Sequence, residues 1–351
     1  MLFQLQNKKV KSISKELKTT IVGVVILRLY MCFLVVNTHL GGTTLFEAEG
    51  LLYVFQAYHV PVFMLLSFVL CAKYFLEPTK EGIVKRILRC LIPFVVWGII
   101  SFLLELVFYK MDITALLWQL FTGLPVNVSM WYLIILFWIS ILFWTIRLLT
   151  NRKVFLIIIS ALAVISIISQ YTGLNMLIFM DAPYNIQKSF GRVAEMLPLA
   201  SIGILLSLAI PYLSKLKRRF HVMIFLGSGV LLVLLLLLKW LFPSFDKFPG
   251  QDYNGLLLIV MSILLVATAY TNPLNFINNE KFINITKWVG KYTMGIFCIH
   301  IVLGLYLQWL FGYWGWPTGT ILIVVVAYLL SYLLSFLISL IPNKYVRMLV
   351  D

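Results

Sequence analysis

The sequence predicts an all-α fold: a polytopic membrane bundle of about ten transmembrane helices with both termini on the cytoplasmic side. Three observations lead there. Of 351 residues, 62% are hydrophobic and 12% charged, with a mean hydropathy of +0.99; a soluble domain carries about a quarter charged residues. Apolar runs of bilayer-spanning length recur along the whole chain. The basic residues gather almost entirely on alternate connections between those runs.

The runs, in order, are 21–40, 53–75, 90–109, 131–149, 154–170, 194–213, 221–242, 255–271, 288–310 and 318–341. All are expected to be helices, because isolated strands leave backbone groups unsatisfied in lipid. The first follows a basic tail, 1–20, and stops at Gly41-Gly42, a helix-ending pair. The second carries Pro61, expected to kink it and free a carbonyl. The third is reached through Lys85, Arg86 and Arg89, and the fourth opens at Trp131. The fifth and eighth are short for a span. The ninth and tenth complete the core, 21–341, and 342–351 forms a second cytoplasmic tail. The connections 110–130 and 171–192 face outside and have room only for short interfacial helices. No cleavable signal peptide is expected, since a charged tail precedes the first span.

Orientation follows from the charges. Twenty-two of the 28 Lys and Arg lie on the side of the N-terminal tail. The other side holds Lys110, Lys188, Arg192, Lys239 and Lys247, while Arg28 is inside the first span. The net charge of +15 therefore reflects topology and nearby anionic membrane lipid, with no nucleic acid partner. Cys32, Cys71, Cys90 and Cys298 sit singly in apolar runs and make neither a metal pattern nor a disulfide framework.

Ionisable residues within spans are costly and usually functional. Arg28 and His39 are eleven residues apart. That is three helical turns plus about 20°, so they share a face about 16 Å apart. His59 lies in the outer half of the second run, Glu105 in the outer third of the third, and Glu195 at the outer start of the sixth. By depth, these and His39 can meet in one outward-facing cavity. Arg192 and Glu195 read more simply as an i,i+3 surface pair. His300, halfway along the ninth run, serves equally as a helix-bonding residue or a catalytic one. Tyr313-Trp314-Gly315-Trp316 can stack on a sugar or belong to an interfacial aromatic belt.

Four local patterns then resemble acyltransferase family 3, integral membrane enzymes that O-acylate extracytoplasmic glycans. Arg28-Leu-Tyr-Met-Cys-Phe-Leu-Val-Val-Asn-Thr-His39 is similar to the family's Arg–ten residues–His signature in its first helix. His59-Val-Pro61-Val-Phe63-Met-Leu-Leu-Ser67 resembles its His-x-Pro-x-Phe…Ser-Gly segment, with Phe68 where the family usually has Gly. Lys85-Arg86-Ile-Leu-Arg89 resembles its Arg-rich lead into the third helix. Trp131-Tyr132-Leu133, six residues after Pro125, resembles its Trp-Phe-Leu span start, and Gly290…Ile299-His300 its penultimate helix.

The resemblance implies an acyl-CoA donor, acetyl-CoA in the first instance, reached from the cytoplasm. It also implies a hydroxyl on a cell-surface glycan or lipid-linked sugar as acceptor, in a multi-pass protein of a bacterial cell membrane. No bound cofactor is expected. His39 would be general base, since neutral imidazole suits proton abstraction near pH 7. Arg28 would hold a donor phosphate or steer the pantetheine arm. Arg86 and Arg89, with Ser67, would bind the donor's nucleotide end, where guanidinium forks suit phosphates. His59, Glu105, Trp131, Glu195 and His300 would receive the acceptor or support His39. The rival reading is an exporter of a polysaccharide or lipid-linked sugar; against it stands the lack of any inverted repeat. A membrane-bound O-acyltransferase of the other, unrelated type is a second alternative.

Overall fold

A computed structural model describes residues 21–40, 58–109, 130–172, 184–213, 215–242, 255–277, 279–316 and 320–350. Among these there are helices and no strand. In chain order they are α1 (Ile21–Leu40), α2 (His59–Cys71), α3 (Lys73–Leu76), α4 (Lys80–Tyr109), α5 (Trp131–Leu149), α6 (Arg152–Thr172) and α7 (Tyr184–Leu213). There follow α8 (Arg218–Leu241), α9 (Leu256–Thr271), a 3-10 turn (Pro273–Phe276), α10 (Glu280–Gly290), α11 (Thr293–Tyr313), α12 (Ile321–Ser339) and α13 (Lys344–Arg347). Nine of the described helices are long and apolar enough to cross a bilayer. The second predicted span appears as the 13-residue α2, continued by α3 after a break at Ala72.

Helix α1 is the axis of the bundle. It packs against α2, α9, α10, α11 and α12, and close approach is permitted by small residues on its partners or itself. A Cβ at Gly23 would overlap the carbonyl oxygen of Ala269, one at Gly290 would overlap Val25, and one at Gly304 would overlap Leu40. Without water to drive helices together, such close van der Waals contact is what holds them in lipid. Gly23 N–H also donates to Asn275 Oδ1 at 2.8 Å, tying α1 to the 3-10 turn.

The α2–α7 contact explains the departure at position 68. Phe68 is fully buried, and the small residue comes from the facing helix instead. A Cβ on Gly203 of α7 would lie 2.6 Å from the Leu65 carbonyl oxygen and 2.9 Å from Phe68 Cβ.

Helices α1 and α11 run parallel: Cys32 meets Thr293 at the start of α11, and Leu40 meets Gly304 further along it. The segment after α12 returns to this same starting end. Trp97 Nε1 donates to the Leu349 carbonyl at 3.1 Å, and Gly295 N–H donates to the Val350 carbonyl at 3.2 Å. The beginning of α1 and the residues around 350 thus occupy one end of the bundle, which also carries Lys287, Lys291, Lys344 and Arg347.

Several boundaries differ from expectation. Pro61 stands in the first turn of α2, where its missing N–H has no intrahelical acceptor to lose; the start of its predicted span, 53–57, lies outside the described residues. Helix α4 starts at Lys80, ten residues before its apolar run, because the Lys- and Arg-bearing turns remain helical. Helix α7 starts at Tyr184, within a connection expected to hold only short helices. The ninth span is preceded by a separate amphipathic helix, α10, capped by Asn279, whose side chain accepts from Phe282 N–H. The basic N-terminal tail, Gly41-Gly42 and the stretch 110–129 lie outside the described residues.

Candidate intramembrane active site

The shared face of Arg28 and His39 turns toward α11. An Arg28 Nη2 hydrogen donates to Thr293 Oγ1, and the Cys32 thiol donates to the Thr293 carbonyl at 3.3 Å. Toward the other end of α1, the rings of His39 and His300 face each other with centroids 5.5 Å apart, tilted by 35°. Thr293 and His300 are seven residues apart, two turns less about 20°, so they too share a face. Two rungs therefore link the parallel helices.

His300 is fully buried. Its Nδ1 lies 3.1 Å from the Ile296 carbonyl oxygen; a carbonyl only accepts, so Nδ1 carries the proton and Nε2 presents a lone pair. That Nε2 has no hydrogen-bond partner among the described residues. His59 is also buried and lies within electrostatic range of His300. Three imidazoles from α1, α2 and α11 thus gather in one region. No cluster able to hold a metal ion occurs among the described residues.

A line of rings connects this group to a second polar centre. Phe297 lies 6.2 Å from His300 and 5.4 Å from Tyr132, ring to ring. Phe63 completes a triangle, 6.3 Å from both Tyr132 and Phe297. Tyr132 is buried, and its hydroxyl shares a hydrogen bond of 3.1 Å with Ser67. Phe63 and Ser67, one turn apart on α2, keep partial exposure, while Met64, Leu65, Leu66 and Phe68 around them have almost none. His39 and Arg28 are partly exposed as well. These partly exposed residues contrast with the closed packing of their neighbours.

Arg86 is not at a mouth but in the interior, 8% exposed. Its Nε donates to Ser140 Oγ and its Nη1 to Cys71 Sγ, each at 3.4 Å. The guanidinium lies over the Phe68 ring, 5.5 Å from its centroid, and Nη2 has no hydrogen-bond partner among the described residues. Arg89, 300° further round α4 by helical geometry, is exposed. Arg28 is within electrostatic range of Tyr132, Cys71 and Arg89, and Arg86 of Tyr132, Cys71 and Cys90. Among the described residues neither Arg28 nor Arg86 has a carboxylate partner.

Arg192 and Glu195 do pair, at 2.7 Å, yet they are not a surface pair: their side chains are 14% and 6% exposed. Arg192 also lies over the Trp131 ring, 4.9 Å from its centroid. Trp131 is in ring contact with Tyr132, which joins this pair to the site's edge. Glu105 lies on α4, and its side chain is outside the described residues. Sequence reading passed over Tyr132 as a polar group, over Asn37, buried with both amide atoms unpartnered, and over His221. The last is buried edge-on against Phe276, 5.0 Å away, on α8. A surface depression lined by Glu280, Lys281, Asn284, Ile285 and Trp288 shares none of the site's residues.

A helical bundle of this hydropathy, with nine described helices long and apolar enough to cross a bilayer, defines a multi-pass membrane protein. The model of the acyltransferase 3 family, described as an acyltransferase domain, matches residues 21–340, and the chain belongs to that family. It is an acyltransferase. No curated protein and no solved structure matches it. Nothing in the fold or the comparison favours the exporter reading.

Proposed function

We propose that this membrane acyltransferase moves an acyl group, acetyl in the simplest case, from acyl-CoA to a hydroxyl of a cell-surface glycan or lipid-linked sugar. The carrying observation is the arrangement of charge: buried Arg86 and partly buried Arg28, with no carboxylate partner among the described residues, stand in the same bundle as a facing pair of imidazoles. A buried cation without a counter-ion is strongly unfavourable unless a ligand supplies one. An acyl-CoA donor brings phosphates for Arg28, Arg86 and Arg89 and an extended pantetheine arm to run past Ser67. The setting that suits such an acceptor is a bacterial cell envelope, with the donor arriving from the cytoplasmic, Lys- and Arg-rich side.

His39 is the general base. It takes the proton of the acceptor hydroxyl as the oxygen attacks the thioester carbon. His300, held by its Nδ1–H on the Ile296 carbonyl, supports His39 across the ring contact, and His59 completes the polar lining. Trp131 and the Arg192–Glu195 pair border the acceptor's side. The test uses protein in nanodiscs with labelled acetyl-CoA and an extract of surface glycans. Transfer of label that is lost in His39→Ala and Arg28→Ala supports the assignment. Wild-type transfer by a folded His39→Ala variant rules out His39 as base.

A further inference from the structure

Between the arginines and the imidazoles stands one hydroxyl that no catalytic role above uses. We infer that the Tyr132 hydroxyl donates to the carbonyl oxygen of the donor's thioester and stabilises the negative charge that develops there during transfer. The inference rests on the acyl-CoA reading of the site.

Four observations converge on this group. Tyr132 is fixed: its ring meets Phe63, Trp131 and Phe297, and it is only 4% exposed. Its hydroxyl bonds to Ser67 at 3.1 Å, and Ser67 keeps partial exposure on the open stripe of α2. The hydroxyl therefore borders the partly exposed stripe of α2. It lies within electrostatic range of both Arg28 and Arg86, which have no carboxylate partner among the described residues. Finally, Phe297 connects it to His300 and so to His39, between the donor's phosphate end and the base.

Such a position is where negative charge appears in acyl transfer. The acceptor oxygen bonds to the carbonyl carbon, and the carbonyl π pair moves onto oxygen, where a preorganised O–H in dry surroundings acts most strongly. The C–S bond then breaks, the pair leaves with sulfur, and the proton taken up by His39 passes to the thiolate. Ser67 holds the phenol in place beforehand, so its hydroxyl is a positioning group.

The test needs no acceptor. Equilibrium binding in nanodiscs compares two unreactive donor analogues. One is a ketone, with methylene in place of the thioester sulfur; the other is a thioether, with the carbonyl reduced to methylene. Wild type is expected to prefer the ketone about tenfold, the order of one good hydrogen bond to a buried donor. Tyr132→Phe is expected to lose that preference while binding the thioether as wild type does, and to lower kcat about 10²-fold with acyl-CoA. Ser67→Ala, which keeps the phenol but removes its positioning bond, should weaken the preference without abolishing it. An unchanged ketone preference in Tyr132→Phe overturns the role of Tyr132 alone, as does loss of both analogues, which makes Tyr132 a packing residue. If wild type binds neither analogue, the acyl-CoA reading itself falls and this inference with it.

Discussion

Two regions of the bundle hold arginines inside it, and they are built on opposite plans. On α7, Arg192 is met by Glu195 and covered by Trp131. Its charge is balanced within the protein, and the pair has nothing left to offer a ligand beyond its edge. Around α1, α4 and α11, Arg28 and Arg86 are held by a threonine, a serine, a cysteine thiol and an aromatic face. Those partners orient a guanidinium without neutralising it. Among the described residues, one arginine has its counter-ion and the other two do not. The proposed donor-binding role of Arg28 and Arg86 rests on that difference.

Removing groups from the unbalanced region should have the largest effect. His39→Ala and Arg28→Ala are expected to lower turnover by about 10²–10⁴-fold, the range for loss of a general acid–base or an oriented charge, as measured by label transfer with protein yield and melting unchanged. Giving the interior cation a counter-ion should erase the contrast. Ser140→Asp places a carboxylate where Arg86 Nε now finds a hydroxyl, and acyl-CoA affinity should fall at least about tenfold while the fold survives. Unchanged affinity there would mean that Arg86 does not meet the donor. The balanced region should respond the other way round. Glu195→Gln removes the carboxylate from the Arg192 pair, and a cost of about 1–3 kcal/mol, between a surface and a buried pair, should appear as a lower melting temperature with donor affinity intact. The smallest effects separate the packed core from the lipid-facing rim. Gly203→Ala pushes a methyl toward the Leu65 carbonyl and should destabilise by about 1–3 kcal/mol. Gly229→Ala, with nothing within 4 Å of the new Cβ, should be neutral or stabilising by up to about 1 kcal/mol.

The rim and core also differ in how readable they were. In α1, 61% of the spanning stretch is buried, against 17% in α8, yet hydropathy sees both simply as apolar. That is why the number of long helices was legible and their partners were not. Arg28 and His39 were legible as a pair because helical arithmetic puts them on one face, and that face does turn to α11. The same arithmetic applied to Thr293 and His300 would have found the facing rungs. Arg86 was read as part of a basic mouth on composition. Its neighbours Ile83, Cys90, Phe94 and Trp97 form a buried stripe at helical spacing, and Arg86 falls on that stripe while Arg89 does not. Tyr132 was hidden because aromatic residues in an apolar run look like packing; only its contact with Ser67 shows the hydroxyl at work. Pro61 falls in the first turn of α2, and the start of the span that would carry a kink, 53–57, lies outside the described residues.

The bond from Gly295 N–H to the Val350 carbonyl has a practical side. Gly295 belongs to the opening turn of α11, whose first N–H groups have no acceptor within the helix. Residue 350, from the segment after α12, supplies one. The helix bearing His300 is thus steadied at its opening turn by a distant stretch of chain through backbone atoms alone. Side-chain substitution at Val350 leaves that carbonyl in place, whereas proline at position 295 would remove the donor itself.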